Sequence, residues 1–250
     1  MLSSLQPLLT PGVLAAAIAL LFAGVVKGTA GFGPALVAVP VLVQVFPPKP
    51  ALTAFSIPLL ISNLYMVVQG GVPRQFVAEY KSFILIILLA TVGGVVSLVS
   101  LPVTALYVGI AVYILGFLLF DVSTSGDSYA RVRGLRPAIG VMTGFLGGSV
   151  SMGGLPLATY LNALDLDKRV FATGLVLILL LHNGLRLLAL SITDLFHASE
   201  LVMGVVFFIP LALGVFGGIR IRAHISESRF QQLVRGVLFV SAIKLLLEVV

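Results

Sequence analysis

Six apolar runs in this sequence, at 51–69, 82–100, 103–120, 171–191, 201–219 and 230–250, are each about as long as a bilayer is thick. A hydrocarbon core of about 30 Å needs roughly 20 apolar residues in a helix. Within it every backbone N–H and C=O must be satisfied inside the chain, so these runs must be helical. The balance of residue types agrees, with 59% hydrophobic and 10% charged. Too few polar residues remain to coat a surface facing water. This excludes a soluble globular enzyme, a disordered chain and a collagen-like chain. No cysteine occurs, which excludes a disulfide scaffold and a thiolate metal site and leaves the redox compartment unread. The expected fold is an all-α polytopic membrane protein.

Two further apolar segments, 12–46 and 137–164, are too long for one upright helix and are interrupted midway. The first interruption reads Lys27-Gly28-Thr29-Ala30-Gly31-Phe32-Gly33-Pro34, and the second reads Gly147-Gly148-Ser149-Val150-Ser151-Met152-Gly153-Gly154-Leu155-Pro156. Gly and Pro at this density break a helix, and Pro favours the first turn of the next one. Each segment is therefore expected to form two half-helices with an irregular tip.

The chain also repeats at an offset of 120 residues. Gly24, Gly28 and Gly33 match Gly144, Gly148 and Gly153. Thr29 matches Ser149, Thr53 matches Thr173, Asn63 matches Asn183, Phe76 matches Phe196 and Gly94 matches Gly214. This predicts an N-terminal repeat over 1–122, a cytoplasmic linker over 123–135 and a C-terminal repeat over 136–250. Each repeat would hold one broken, re-entrant hairpin and three spanning helices. The stretch 121–136 is the most polar of the chain.

Loop charge discriminates between two topologies. If each broken segment crossed the membrane once, Arg74, Lys81, Arg131, Arg133 and Arg136 would face Lys49, Lys168, Arg169, Arg220, Arg222 and Arg229 with no bias. If each enters and leaves on one side, ten of these eleven fall together and only Lys49 is opposite. Cytoplasmic loops carry the Lys/Arg excess, so the second arrangement is favoured. It makes the repeats inverted, because three crossings is odd. It also puts both termini outside the cytoplasm, in a multi-pass protein of the bacterial inner membrane. The N-terminal stretch has no positive n-region and no cleavage context, so it reads as mature protein.

The formal net charge of +6 is explained by those loops. No stretch interleaves aromatic and basic residues, so no nucleic-acid partner is expected. Inverted hairpins would bring their tips together near the bilayer midplane, where half-helices starting near Pro34 and Gly154 aim free N–H groups at a cavity. That is an anion site made largely of backbone, with a small anion and the lipid bilayer as partners.

The stretch GVVKGTAGFGPALVAVP, followed by PPKPALTAFSIPLLISNLYMVVQGG, and its second copy GFLGGSVSMGGLPLATYLNALDLDKRVFATGLVLILLLHNGLRLLAL resemble the TauE/SafE family of sulfite-exporter-like membrane transporters. In such proteins each half opens with a Gly-rich stretch followed by apolar residues and a Pro. An A-x-x-T element then starts the next helix, present here as Ala51–Ala54 and as Phe171-Ala172-Thr173. The resemblance covers essentially the whole chain. It implies a transporter of small sulfur-containing anions such as sulfite or sulfoacetate-like organosulfonates, and no enzyme. The sequence departs from the family pattern at Lys27, and at Ser149 and Ser151, where Gly is usual.

Intramembrane polar groups are costly and so become candidates for substrate binding. Asn63 and Asn183 lie mid-span at equivalent positions; each either donates to a sulfonate oxygen or satisfies backbone and neighbouring helices. Arg186 either forks an oxyanion or snorkels out past its helix end, the second being favoured because the helix ends soon after. His182 either relays protons or packs as a satisfied histidine, again with the second favoured. Lys27 either neutralises the substrate or caps the carbonyls of the half-helix that ends there. Thr29, Ser149 and Ser151 are tip hydroxyls that donate to an anion or cap the turn. Gly31, Gly33 and Gly153 shape the tips, and Phe32 and Met152 occupy equivalent gate or packing positions. Gly24-x-x-x-Gly28 and Gly144-x-x-x-Gly148 allow close helix contact.

No metal site or cofactor is expected. The three histidines are scattered, Gly28-x-x-Gly31-x-Gly33 lacks the spacing of a dinucleotide fingerprint, and no nucleophile–base pair is present. The reading is therefore a transporter that alternates access around a midplane anion site. Its rivals are an anion channel, a scaffold subunit and an intramembrane enzyme. A homodimer is compatible with a chain this small, and no residue pattern defines its interface.

Overall fold

The computed structural model describes residues 10–120, 135–164 and 166–221, together with 236, 239, 242–245 and 247. The regular elements among these are all helices. They run α1 Pro11–Ala30, α2 Pro34–Val45, α3 Pro48–Ala54, α4 Ser56–Gly70, α5 Arg74–Ser100, α6 Val103–Phe120, α7 Leu135–Val150, α8 Gly154–Asn162, α9 Lys168–Ser191 and α10 Ala198–Ile221. Five stretches are long and apolar enough to span a bilayer: α1, α3 with α4, α5, α9 and α10. The protein is thus an all-helical, multi-pass membrane protein. The linker expected over 123–135 lies outside the described residues except for Leu135, which opens α7, and so does most of the run at 230–250.

Both expected breaks are present, for local reasons. Gly31 (φ 86°) and Gly33 (φ 83°) take the left-handed conformation on either side of Phe32, which a residue with a Cβ adopts only at a cost. Pro34 then opens α2 at its first turn. In the second break Ser151 takes the left-handed conformation at φ 65°, and Gly154 opens α8.

The expectation of two half-helices per segment needs correction. α1 has 20 residues and α7 has 16, against 12 in α2 and 9 in α8, so only the second arms are short. Each second arm nevertheless folds back toward the start of the first. A Cβ placed on Gly12, at the beginning of α1, would lie 3.3 Å from Val45 at the end of α2. In the second hairpin the Phe83 ring of α5 meets both ends: Tyr160 near the end of α8, with centroids 5.0 Å apart, and Gly140 near the start of α7.

A third break, between α3 and α4 at Phe55, was not expected from the apolar run 51–69. Pro58 explains it. Its ring clashes with the carbonyl four residues back and it has no N–H to donate, so the helix cannot run straight through Ala54 and Phe55. The Phe55 carbonyl accepts only a long bond, 3.4 Å, from Leu59.

The Gly-x-x-x-Gly pairs pack as expected. α1 lies against α10, where Gly24 and Gly28 face Gly214 and Gly218, and α7 lies against α5, where Gly144 and Gly148 face Ala90 and Gly94. A Cβ on any of these four hairpin glycines would run into a backbone carbonyl of the facing helix: Leu211, Val215, Ile87 and Thr91 respectively. With no hydrophobic drive between helices in lipid, such backbone approach supplies the dispersion contact that joins them. These contacts correct the repeat register. Gly94 meets Gly148 as Gly218 meets Gly28. In packing terms Gly94 therefore corresponds to Gly218, one turn beyond the Gly214 suggested by a constant offset. α4 and α9 also pack together and close the centre of the bundle, where both tips sit.

Candidate functional site

The two tips touch. A Cβ on Gly154 would sit 3.8 Å from Gly33 N and from Phe32 Cβ. Beside this contact lies a small, partly open cavity, about 30 Å³ in volume, with Lys27, Asn63, Ser151, His182 and Asn183 as its polar lining. Gly33, Pro34 and Gly154, the starts of α2 and α8, complete one wall. Neither helix start has a side-chain cap. Pro34 has no N–H and Leu36 N donates to Gly33 O at 3.1 Å, so α2 offers chiefly its positive dipole end beside the cavity, while α8 starts with N–H groups that no side chain caps. The apolar remainder includes Leu36, Leu59, Leu155 and Leu179. Such a volume holds a water or two.

The structure places the sequence candidates in two groups. Lys27, Gly33, Asn63, Ser151, Met152, His182 and Asn183 line the cavity, whereas Thr29, Gly31, Phe32, Ser149, Gly153 and Arg186 do not. Thr29 Oγ1 donates to Val25 O at 2.9 Å, and Ser149 Oγ donates to Phe145 O at 2.7 Å. A hydroxyl has one proton, so both are committed to carbonyls one turn back within their own helices. Ser151 differs. Its Oγ is buried and has no partner among the described residues.

Lys27 is 1% exposed, and its Nζ donates to Asn63 Oδ1 at 2.5 Å. Its backbone carbonyl accepts from Gly31 N, so it is the main chain of Lys27, not its ammonium, that closes the end of α1. The equivalent position in the second half is Gly147, and the reason is steric. A Cβ there would lie 2.6 Å from the His182 ring, so His182 occupies the space that a side chain at 147 would need. His182 is buried, as a packing histidine would be, but its Nδ1 has no partner among the described residues.

Arg186 corrects the expectation most. It does not snorkel; it is 0% exposed. Its Nε donates to Gly148 O at 2.8 Å and its Nη2 to Ser149 O at 3.4 Å, the last carbonyls of α7. Its Nη1 donates to Leu52 O at 3.1 Å and to Ser56 Oγ. The guanidinium thus caps two helix breaks at once, satisfying carbonyls that lipid would leave unpaired. Leu52, Ser56 and Pro58 were missed as parts of this arrangement. The available signal was Pro58 inside an apolar run with a serine two residues earlier. Tyr113 was also missed; from α6 its hydroxyl donates to Met152 O at 3.0 Å and steadies the second tip.

Among the described residues no carboxylate neutralises either buried cation. The one acid–base contact of this kind among the described residues is His197–Glu200 at 3.5 Å, an ion pair only when the histidine is protonated, far along the chain in the approach to α10. No group of His, Asp or Glu suited to a metal ion occurs among the described residues. The centre of the bundle therefore combines net positive charge, helix N-termini and unpaired polar atoms.

Comparison with known proteins is consistent with that chemistry. The family model described as "Sulfite exporter TauE/SafE" matches residues 16–245. No curated protein and no solved structure matches the chain.

Proposed function

Because the chain belongs to the sulfite exporter TauE/SafE family, we propose that it carries small sulfur-containing oxyanions, such as sulfite or small organosulfonates, through the cavity between its two tips. The observation that carries this reading is Lys27, buried, lining the cavity and hydrogen-bonded only to the neutral Asn63 among the described residues. Burying an ammonium without a counter-charge is expensive. An anion entering the cavity offsets that cost with a charge-assisted bond. The uncapped starts of α2 and α8 add their positive dipole ends on the same side. Arg186 contributes field but no contact, since its donors are directed at carbonyls.

The mechanism proposed is alternating access by two inverted repeats, with both termini outside the cytoplasm. Three observations support it. The two hairpins each return toward their own starting side. Each hairpin's long arm packs on the second spanning helix of the other half, α1 on α10 and α7 on α5. The cavity of about 30 Å³ is smaller than a hydrated anion requires, so the tips must separate for a substrate to enter. That last point favours a carrier over a channel that stands open.

Uptake of labelled sulfite into proteoliposomes loaded with unlabelled sulfite tests the reading. Saturable exchange is expected, and Lys27→Met should abolish it while leaving the protein folded. Unchanged exchange in Lys27→Met would refute the site. Ionic currents far above carrier turnover in the same vesicles would replace the carrier by a channel.

A further inference from the structure

The two equivalent asparagines turn opposite ends toward their surroundings. Asn63 uses its Oδ1 to accept from Lys27, so its free end is the Nδ2 donor. Asn183 does the reverse: its Nδ2 donates to Leu179 O at 2.8 Å, one turn back along α9. Flipping the Asn183 amide would set its oxygen against the Leu179 carbonyl oxygen, so this bond decides the orientation. The free end of Asn183 is therefore Oδ1, an acceptor, on a residue that lines the cavity and is 3% exposed. It has no donor among the described residues.

The site thus has two chemical sides. Lys27 Nζ, a pure donor, stands on α1, and Asn183 Oδ1, a pure acceptor, stands on α9. Ser151 Oγ, also unpartnered, serves either side by rotating its proton. His182 Nδ1 does not decide the polarity, because an imidazole nitrogen presents either a lone pair or an N–H.

A fully deprotonated oxyanion consists of acceptors only. It satisfies Lys27 and leaves Asn183 Oδ1 as unmatched as before. An anion that also carries an O–H or N–H satisfies both. A buried acceptor left unpaired weakens binding by about 5- to 100-fold relative to one that is met. We propose that the site selects monoanions bearing their own hydrogen-bond donor over donor-free anions of the same shape. Hydrogen sulfite and amino- or hydroxy-substituted sulfonates belong to this class, while sulfite dianion, sulfate and simple alkylsulfonates do not. The inference rests on the anion site proposed above and specifies its ligand.

Sulfamate and methanesulfonate form a minimal pair for the test. Both are tetrahedral monoanions at neutral pH and differ by an amino group in place of a methyl group. Calorimetric titration of the full chain in detergent should show sulfamate binding about tenfold or more tighter than methanesulfonate. In Asn183→Leu that ratio should collapse to within about twofold. The wild-type ratio is decisive by itself if the variant fails to fold. Equal affinity for the pair, or rejection of sulfamate while sulfite binds, would overturn the donor selectivity and leave the anion site standing. If sulfite, sulfamate and methanesulfonate all fail to bind, the anion site falls and the selectivity with it.

Discussion

The first and second tips are built on the same plan and use their buried cations for different purposes. In the first, the cation is on the hairpin itself: Lys27 near the end of α1 reaches into the cavity and meets Asn63. In the second, the equivalent position is Gly147, and the cation comes from α9, where Arg186 stands outside the cavity and holds the carbonyls of Gly148, Ser149 and Leu52. The difference follows from side-chain chemistry. A guanidinium has five donors in a rigid fork and can be saturated by carbonyls, whereas an ammonium on a flexible stem remains a point charge to be neutralised. On the function proposed, one half keeps its charge for a ligand, whereas the other directs its charge at the backbone.

The sharpest way to break this comparison is to give the second half the residue found at the equivalent place in the first. Arg186→Met copies Met66. It strands the carbonyls of Gly148 and Ser149 and leaves Leu52 O with only the long bond from Ser56 Oγ, 3.4 Å, and the folded state should lose about 2 kcal/mol or more, at about 1 kcal/mol for each unmet group. Thermal unfolding in detergent reads this directly. A melting temperature equal to wild type would mean that the guanidinium is not the cap described here.

Lys27→Met should behave differently. Without ligand its stability should shift by no more than about 1 kcal/mol, because the loss of a buried charge offsets the unpaired Asn63 Oδ1. Sulfite affinity should fall about 10- to 100-fold, the worth of one charge-assisted bond. Equal affinity in Lys27→Met and wild type would refute the site built on Lys27.

The glycine seams offer a symmetric check. Gly24→Ala presses a methyl group into Leu211 O, and Gly144→Ala presses one into Ile87 O. Each should cost about 1–3 kcal/mol by forcing the helices apart. A large loss in one half with none in the other would show that the seams are not equivalent. The smallest effect is expected at the tips. Ser151 holds φ 65° where Gly31 holds 86°. Ser151→Gly should stabilise the fold by roughly 1 kcal/mol, and Gly31→Ser should destabilise it by a similar amount. Opposite signs in paired melting curves are the readout.

Much of the architecture was legible in the sequence because it depends on local chemistry. Apolar runs longer than a bilayer is thick, Gly-Phe-Gly-Pro at one tip and paired glycines at one-turn spacing act over a few residues, and the helices, both expected breaks and the glycine seams followed. What misled was a choice made by partners distant in sequence. Arg186 lies close to the end of its helix, and on that basis an outward course was reasonable. The open carbonyls that hold it inside belong to α7 and to the α3–α4 break, 38 and 134 residues away.

The same division applies at the site. By itself the sequence determined that the chain crosses a membrane, that two of its segments must break and that asparagines recur at matching places, since hydropathy, glycine and proline act through the backbone nearby. Only the tertiary structure decided that Lys27 faces a cavity, that Arg186 does not, and that Asn63 and Asn183 present opposite ends. A hydrogen-bonding group inside a bilayer takes whichever partner the packing brings within about 3 Å. At that depth bulk water competes little, and so helix packing, together with residue type, assigns each polar side chain its role.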